Sequence, residues 1–103
     1  MLDQDLIEQL KGVYSALESP VELVYDDSDH ANQGELVGML QGLAASSHKI
    51  TAKASGHTSP APTFRIERSG KPTGIFFRGV PGGHEFTTLV LAILNAHGKG
   101  KMP

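Results

Sequence analysis

The chain has no cysteine among its 103 residues. Without a thiol it cannot form a disulfide, hold a metal through thiolates, use a cysteine nucleophile or carry a CxxC redox centre. No apolar run approaches the roughly 20 residues that span a bilayer. Nine Lys and Arg against eleven Asp and Glu give a net charge of −2, so the sequence also lacks the basic excess of a nucleic-acid-binding surface.

What remains is the composition of one globular domain. Hydrophobic residues make up 39% of the chain and charged residues 19%, which are ordinary values for such a domain. The opening Met-Leu-Asp-Gln-Asp is acidic where a secretory signal is basic, which predicts a cytoplasmic protein. We expect a single domain over residues 1–98, followed by a flexible Gly- and Lys-containing tail over 99–103.

The most strongly patterned stretch lies near the C-terminus, from Phe76 to Leu94. Val80-Pro81-Gly82-Gly83 predicts a tight turn, because proline presets φ and glycine accepts conformations closed to other residues. Apolar residues then recur at helical spacing, which predicts a helix with one apolar face. They are Phe86, Leu89, Val90, Ile93 and Leu94. His84 and Glu85 fall in its first turn, where the helix dipole favours the charge of Glu85.

The same reasoning gives the other elements. Helices are predicted over 3–17, where Asp3 is the cap, and over 33–45. Strands are predicted over 21–25, 48–54, 63–67 and 74–79. Residues 55–61 are predicted to form a polar loop and residues 69–72 a turn. A right-handed β-α-β crossover followed by a hairpin gives a four-stranded mixed sheet in the order 2-1-3-4, with helices on both faces. This α/β arrangement is thioredoxin-like. A ferredoxin-like fold needs a helix between the last two strands, and 69–72 is too short for one.

Several other patterns carry no site. The five histidines are His30, His48, His57, His84 and His97. Their spacing matches no standard metal-ligand pattern, so we expect no metal. The glycines from Gly79 to Gly83 form no nucleotide-binding pattern, so we expect no bound cofactor. Asp26, Asp27 and Asp29 lack the spacing of a calcium loop and are interpreted as capping and turn residues.

The stretch Gly-His-Glu-Phe-Thr-Thr-Leu-Val-Leu-Ala-Ile-Leu, ending at Leu94, resembles the third helix in the N-terminal domain of the alkyl hydroperoxide reductase flavoprotein, the F subunit of that enzyme. The agreement extends along the chain in the same order. It includes the opening Met-Leu-Asp, the Pro-Val-Glu-Leu-Val from Pro20, the Asp-Asp-Ser from Asp26 and the Pro-Thr-Phe from Pro62. The resemblance covers the chain to about residue 98.

The resemblance implies a vestigial active site. In the second half of that N-terminal domain, a CxxC motif follows the first central strand and opens the next helix. Asp29 and Asn32 occupy the two cysteine positions here, which implies a thioredoxin-like unit that has lost its redox centre. Pro62 stands where such folds keep a cis-proline, so we expect the Ala61–Pro62 bond to be cis; a trans bond that simply begins the strand is the alternative.

By the same resemblance, the parent enzyme passes electrons from NADH through FAD to the CxxC of the second half, and then to a peroxiredoxin subunit that reduces peroxides. The partners implied are the second thioredoxin-like half, the flavoprotein body and the peroxiredoxin. Glu85 matches a glutamate that points toward the CxxC of the partner half, where it is an auxiliary to thiol exchange. It is otherwise a helix-end charge.

Two other functions remain open. One is a free-standing, redox-inactive thioredoxin-like module that binds a protein or peptide through its Pro62 face. The other is a small enzyme that uses His84 and Glu85, although the sequence offers neither a nucleophile nor a third orienting group beside them.

Overall fold

The computed structural model describes residues 4–15, 17, 19–82 and 84–95. Within these ranges the chain forms three helices and four strands in the order that the sequence predicts. They are α1 (Gln4–Tyr14), β1 (Val21–Asp27), α2 (Gln33–Ala45), β2 (Ile50–Thr58), β3 (Thr63–Arg68), β4 (Lys71–Arg78) and α3 (His84–Asn95). The predicted tail over 99–103, the domain limit at residue 98 and the cap at Asp3 lie outside the described residues.

The four strands form one sheet in the order β2-β1-β3-β4, which confirms the predicted topology. β1 and β2 are parallel and are joined through α2. β3 is antiparallel to both of its neighbours. Val21 and Leu23 of the central strand β1 are fully buried, as expected for a strand with neighbours on both sides.

The three helices pack on one face of this sheet. Strand residues that alternate along each strand share one hydrophobic core with buried side chains of all three helices. The core consists of Leu10, Tyr14, Leu17, Val21, Leu23, Leu36, Met39, Leu40, Leu43, Ile50, Phe64, Ile66, Leu89 and Ile93. The expectation of helices on both faces is therefore not met. The chain has no helix between β2 and β3, the connection that would have to place one on the second face.

Several element boundaries differ from the sequence prediction, and the three largest differences are in β2, β4 and α1. β2 continues to Thr58 through a predicted loop, because a bulge beside Asp27 and the left-handed Gly56 (φ 88°) absorb the extra residues. β4 begins at Lys71 rather than residue 74. Ser69 (φ 53°) and Gly70 (φ 81°) complete a two-residue hairpin turn, in which both residues have the positive φ of a type I′ turn.

The third difference is that α1 ends earlier than its apolar pattern indicates. The Ser15 side chain donates to the carbonyl of Gly12 (2.7 Å), and the Leu17 amide bonds to the carbonyl of Tyr14 (3.1 Å) as the chain turns. Leu17 is nevertheless buried in the core, so the turn keeps the apolar contact that the helical spacing suggested. The Tyr14 hydroxyl donates to the carbonyl of Val90 in α3 (3.1 Å) and so ties the first helix to the last.

Replacing Tyr14 by Phe should lower the free energy of unfolding by about 1 kcal/mol, because it removes this one hydrogen bond and keeps the ring in the core. Urea unfolding measures the difference. Tyr25→Phe is the matched control, since the Tyr25 hydroxyl makes no hydrogen bond within the described ranges. Equal losses in the two variants would show that the Tyr14–Val90 bond contributes nothing specific.

Candidate functional site

The corner that holds the CxxC in a redox-active thioredoxin fold lies here between the end of β1 and the start of α2. Asp29 and Asn32, the two residues at the cysteine positions, are both exposed. Asn32 is the N-cap of α2, and its carbonyl accepts the amide of Leu36 (3.1 Å), but its side chain makes no capping hydrogen bond. Asn32 therefore caps α2 by its position and not through its side chain.

His30 organises this turn instead. Its Nδ1 accepts the backbone N–H of Asn32 (3.1 Å), and its carbonyl accepts the N–H of Gln33 (3.0 Å). Its own N–H donates to the hydroxyl of Ser28 (3.1 Å). The His30 imidazole accepts the hydrogen bond of the Asn32 backbone N–H, a donor at the start of α2 that a capping side chain would otherwise accept. Sequence reasoning treated His30 only as one of several scattered histidines.

Pro62 is buried directly before β3. No peptide bond among the described residues is cis, so the prediction of a cis Ala61–Pro62 bond is wrong. The carbonyl of Pro62 accepts the N–H of Gly79 (2.6 Å), which continues the ladder beyond the Thr63–Arg78 pair. The chain therefore enters β3 already extended. The trans isomer, which X-Pro bonds favour by about 0.5–1 kcal/mol, provides this path.

Asp26 is the most heavily used polar residue of this corner, and sequence reasoning missed its role. Its carboxylate accepts hydrogen bonds from the hydroxyls of Ser55 (2.6 Å) and Ser59 (2.5 Å). These two bonds lower the pKa of Asp26 against the opposing effect of burial, and the charges of Arg65 and His57 add smaller contributions in the same direction. Asp26 thereby fixes the end of β2 and the loop before Pro62 to the central strand.

Asp26 also lies at the edge of a cavity of about 450 Å³. The lining residues are Asp26, Ser59, Pro60, Ala61, Thr63 and Arg78. Both carboxylate oxygens are already engaged as acceptors, so Asp26 is suited to holding the loop in place rather than to taking a proton from a substrate. Because Pro60, Ala61 and Thr63 line this cavity, it lies beside Pro62.

Gln33, the first residue of α2, completes the corner. Its Nε2 donates to the carbonyl of Asp26 (2.8 Å). Its Oε1 is buried and has no hydrogen-bond partner within the described part of the chain. The Gln33 side-chain amide is oriented so that its donor, Nε2, meets the Asp26 carbonyl. This orientation leaves its acceptor, Oε1, without a hydrogen-bond partner in the described part of the chain.

Glu85 and His84 begin α3, as predicted, and both side chains are exposed. The Glu85 amide bonds to the carbonyl of Gly82 (3.0 Å), and the carbonyl of His84 accepts the Thr88 hydroxyl (3.1 Å). The Glu85 carboxylate makes no hydrogen bond or ion pair within the described ranges. It therefore stands at the positive end of the helix dipole and is available to a group outside this unit.

No group of three His, Cys, Asp or Glu side chains suited to a metal ion occurs among the described residues. His97 falls outside them. None of the helices in the described ranges has the length and apolar character needed to cross a membrane.

The Asp26 contacts predict a specific pH dependence of stability. A carboxylate with a lowered folded-state pKa stabilises the fold above its unfolded pKa, near 3.9, and that contribution is lost as the pH falls through the folded value. Asp26→Asn should be less stable at neutral pH by about 1 kcal/mol, a value kept small by solvent screening. The difference should vanish as the pH falls well below 4.

Urea midpoints measured for parent and variant from neutral pH down to about pH 3 test this. Asp29→Asn is the control, since the exposed Asp29 carboxylate makes no hydrogen bond within the described ranges. A pH profile of Asp26→Asn that runs parallel to that of the parent would contradict the assignment.

Known proteins have similar sequences over this length. The chain is 43% identical over 100 residues to the F subunit of alkyl hydroperoxide reductase from Pseudomonas aeruginosa, a match that covers 95% of this chain and 19% of that protein. It is 38% identical over 99 residues to the F subunit of the Staphylococcus epidermidis enzyme, with 96% and 19% covered. The chain thus spans about a fifth of the length of these relatives. No family model matches it.

Solved structures agree. The chain superimposes on the crystal structure of the NTD_N/C domain of the Enterococcus faecalis alkylhydroperoxide reductase AhpF with a TM-score of 0.84 and 26% identity. The match covers all of this chain and 56% of that one. A mutant structure of the same Enterococcus protein matches with a TM-score of 0.82 and 27% identity. In sequence and in fold, this chain matches an N-terminal fragment of the F subunit of alkyl hydroperoxide reductase.

Proposed function

We propose that this chain is the redox-inactive, thioredoxin-like half of the N-terminal electron-relay domain of an NADH- and FAD-dependent F subunit of alkyl hydroperoxide reductase. In this proposal the parent enzyme reduces a peroxiredoxin partner during peroxide detoxification. The observation that carries it is the match of a chain without a single cysteine to these F subunits. A unit of this family that has no thiol has no group with which to carry electrons.

The corner between β1 and α2 supports the redox-inactive role. Asp29 and Asn32 stand at the positions that the resemblance assigns to the cysteines, and both side chains are exposed. His30 and Asp26 use their hydrogen-bonding groups to hold the local backbone. In this proposal these residues have a structural role, and the thiol chemistry takes place in another unit.

FAD and NADH belong to the remainder of the parent chain in this proposal. A dinucleotide site of the common kind needs a Gly-rich turn between a buried parallel strand and a helix. The Gly-containing turn before α3 follows β4, which is an antiparallel edge strand, and it lacks the required glycine spacing. The residues of this chain therefore do not fit the flavin or the nicotinamide cofactor.

A second function has support from one observation. The cavity beside Pro62 has the position and size to receive a short peptide segment, as a free-standing binding module requires. The two proposals differ in the gene sequence expected after residue 103. A continuing reading frame with a CxxC and a dinucleotide-binding sequence selects the reductase fragment, and a stop codon selects the free-standing module.

The isolated chain should have no disulfide reductase activity, because it has no thiol to form a mixed disulfide. Supplied with NADH or with reduced thioredoxin reductase, it should not reduce insulin above background. A thioredoxin with an intact CxxC, assayed at the same concentration, is the positive control. Turnover by a pure sample would overturn the redox-inactive assignment.

Glu85→Gln tests whether this half assists its neighbour. The change removes the charge and keeps the size of a side chain that begins α3 without a partner in the described ranges. In the full-length flavoprotein, it should shift the pH dependence of peroxiredoxin reduction, because a nearby carboxylate raises a thiol pKa or accepts its proton. Flavin reduction by NADH should stay unchanged.

The two steps are timed separately, by flavin bleaching and by peroxide-dependent NADH consumption. Glu35→Gln is the matched control, since Glu35 is also exposed in the first turn of a helix. An unchanged pH profile for peroxiredoxin reduction would leave Glu85 as a helix-end charge.

A further inference from the structure

The sheet has two edge strands, β2 and β4, and each lacks a neighbouring strand on one side. An edge strand presents backbone N–H and C=O groups that no ladder partner occupies. β4 is a poor template for a further strand, because Pro72 has no N–H and Gly74 (φ 86°) departs from strand geometry. β2 contains no proline, and its residues from Ile50 to Ala54 pair with β1 without a register shift. β2 is therefore the edge at which a further strand can pair.

The backbone groups of Ala52 and Ala54 point to the free side of β2. The carbonyl of Lys49 accepts the N–H of Val21 in β1 (2.8 Å), so the backbone groups at that position point toward β1. Successive residues of a strand direct their N–H and C=O groups to opposite sides, and the two alanines lie an odd number of residues after Lys49. Neither alanine has a hydrogen bond on the free side within the described residues. Their methyl side chains let another backbone approach closely.

The free edge of β2 is also cationic. No Asp or Glu occurs from residue 36 to residue 66, a stretch that includes all of β2, although most of the eleven acidic residues of the chain precede it. Lys53 lies between the two alanines, is exposed and forms no ion pair within the described residues. Its register partner in β1 is Val24, so no carboxylate lies opposite it on the paired side. The Lys53 ammonium is therefore available to a carboxylate on a strand that pairs with the free edge.

The carboxylates of β1 near this edge are engaged by other groups. Glu22 accepts the Gly70 amide at the turn between β3 and β4 (2.9 Å). Asp26 accepts the hydroxyls of Ser55 (2.6 Å) and Ser59 (2.5 Å). Both carboxylates hold turns and loops of this chain, and neither is an ion-pair partner of Lys53.

The position of Lys53 also restricts which strand can pair with β2. A lysine in an edge strand ordinarily opposes edge-to-edge association. When two copies of this chain meet along β2, their cationic edges repel, because like charges opposite each other on neighbouring strands are destabilising. A strand with carboxylates at the facing positions is attracted instead. Lys53 thus disfavours a second copy and favours an acidic partner.

We propose that the free edge of β2 binds an extended acidic segment of a partner protein by strand addition. The segment pairs its backbone with Ala52 and Ala54 and places a carboxylate beside Lys53. Charge complementarity with the acid-free stretch around β2 selects this occupant. The inference goes beyond the proposed function, because it concerns neither Glu85 nor the corner between β1 and α2 and needs no thiol chemistry.

Amide hydrogen exchange, followed by NMR on the 103-residue chain, tests the inference. The probe is a short, end-blocked peptide in which Glu and Thr alternate, and a peptide with Lys in place of Glu is its control. The acidic peptide should slow exchange at the Ala52 and Ala54 amides several-fold, and the lysine peptide should not. The Arg78 amide is the internal control. It points to the free side of β4, because the next residue, Gly79, donates to Pro62 on the β3 side.

A charge reversal separates recognition from folding. Lys53→Glu should leave the urea midpoint nearly unchanged, because the side chain is exposed and unpaired in the described residues. It should abolish the protection by the acidic peptide and create protection by the lysine peptide. Lys71→Glu, which changes an exposed lysine of the other edge strand, is the matched control and should respond to the two peptides as the parent does.

Three results would overturn the inference. The first is unchanged exchange at Ala52 and Ala54 with the acidic peptide at millimolar concentration. The second is equal protection by the acidic and lysine peptides, or protection by the acidic peptide that survives Lys53→Glu. The third is protection that appears without peptide and rises with the concentration of the chain, which would assign the edge to a second copy. None of these results bears on the proposed function.

Discussion

The structure depends on the burial of one sheet face beneath three helices. Each helix contributes apolar side chains at helical spacing, and alternate residues of β1 and β3 join them in a single core, together with Ile50 of β2. Ile75 and Phe77 of β4 are partly buried and pack against this core. The core holds α1 and α3 together, with one partly buried hydrogen bond from the Tyr14 hydroxyl to the Val90 carbonyl. Burial raises the pKa of Tyr14, so its hydroxyl remains a donor at every pH relevant to the fold.

The corner between β1 and α2 lies at the end of the central strand of this core. At the corner that ends β1, several polar groups hold the neighbouring backbone and loops. Asp26 binds two serine hydroxyls from beyond β1, and His30 satisfies the backbone before α2. A site that uses its acceptors on its own chain keeps its shape and has little capacity left for chemistry.

Two features of the structure face the solvent: the sheet face opposite the helices and the exposed Glu85 carboxylate. Phe76 of β4 is largely exposed, and the Glu85 carboxylate has no partner in the described ranges. The relatives that this chain matches are about five times as long as it is. Under the proposed function, the unit is one half of a domain whose other half supplies the reacting thiols.

The order of the elements, the strand order and the absence of cysteine can all be read from the sequence. Those properties follow from local periodicity, from turn residues such as Ser69 and Gly70, and from composition. Tertiary structure alone decided the role of Asp26, whose serine partners lie 29 and 33 residues away. It also decided the trans bond at Pro62 and the single covered face, because both depend on which strands pair and which surfaces meet, and no local pattern encodes that.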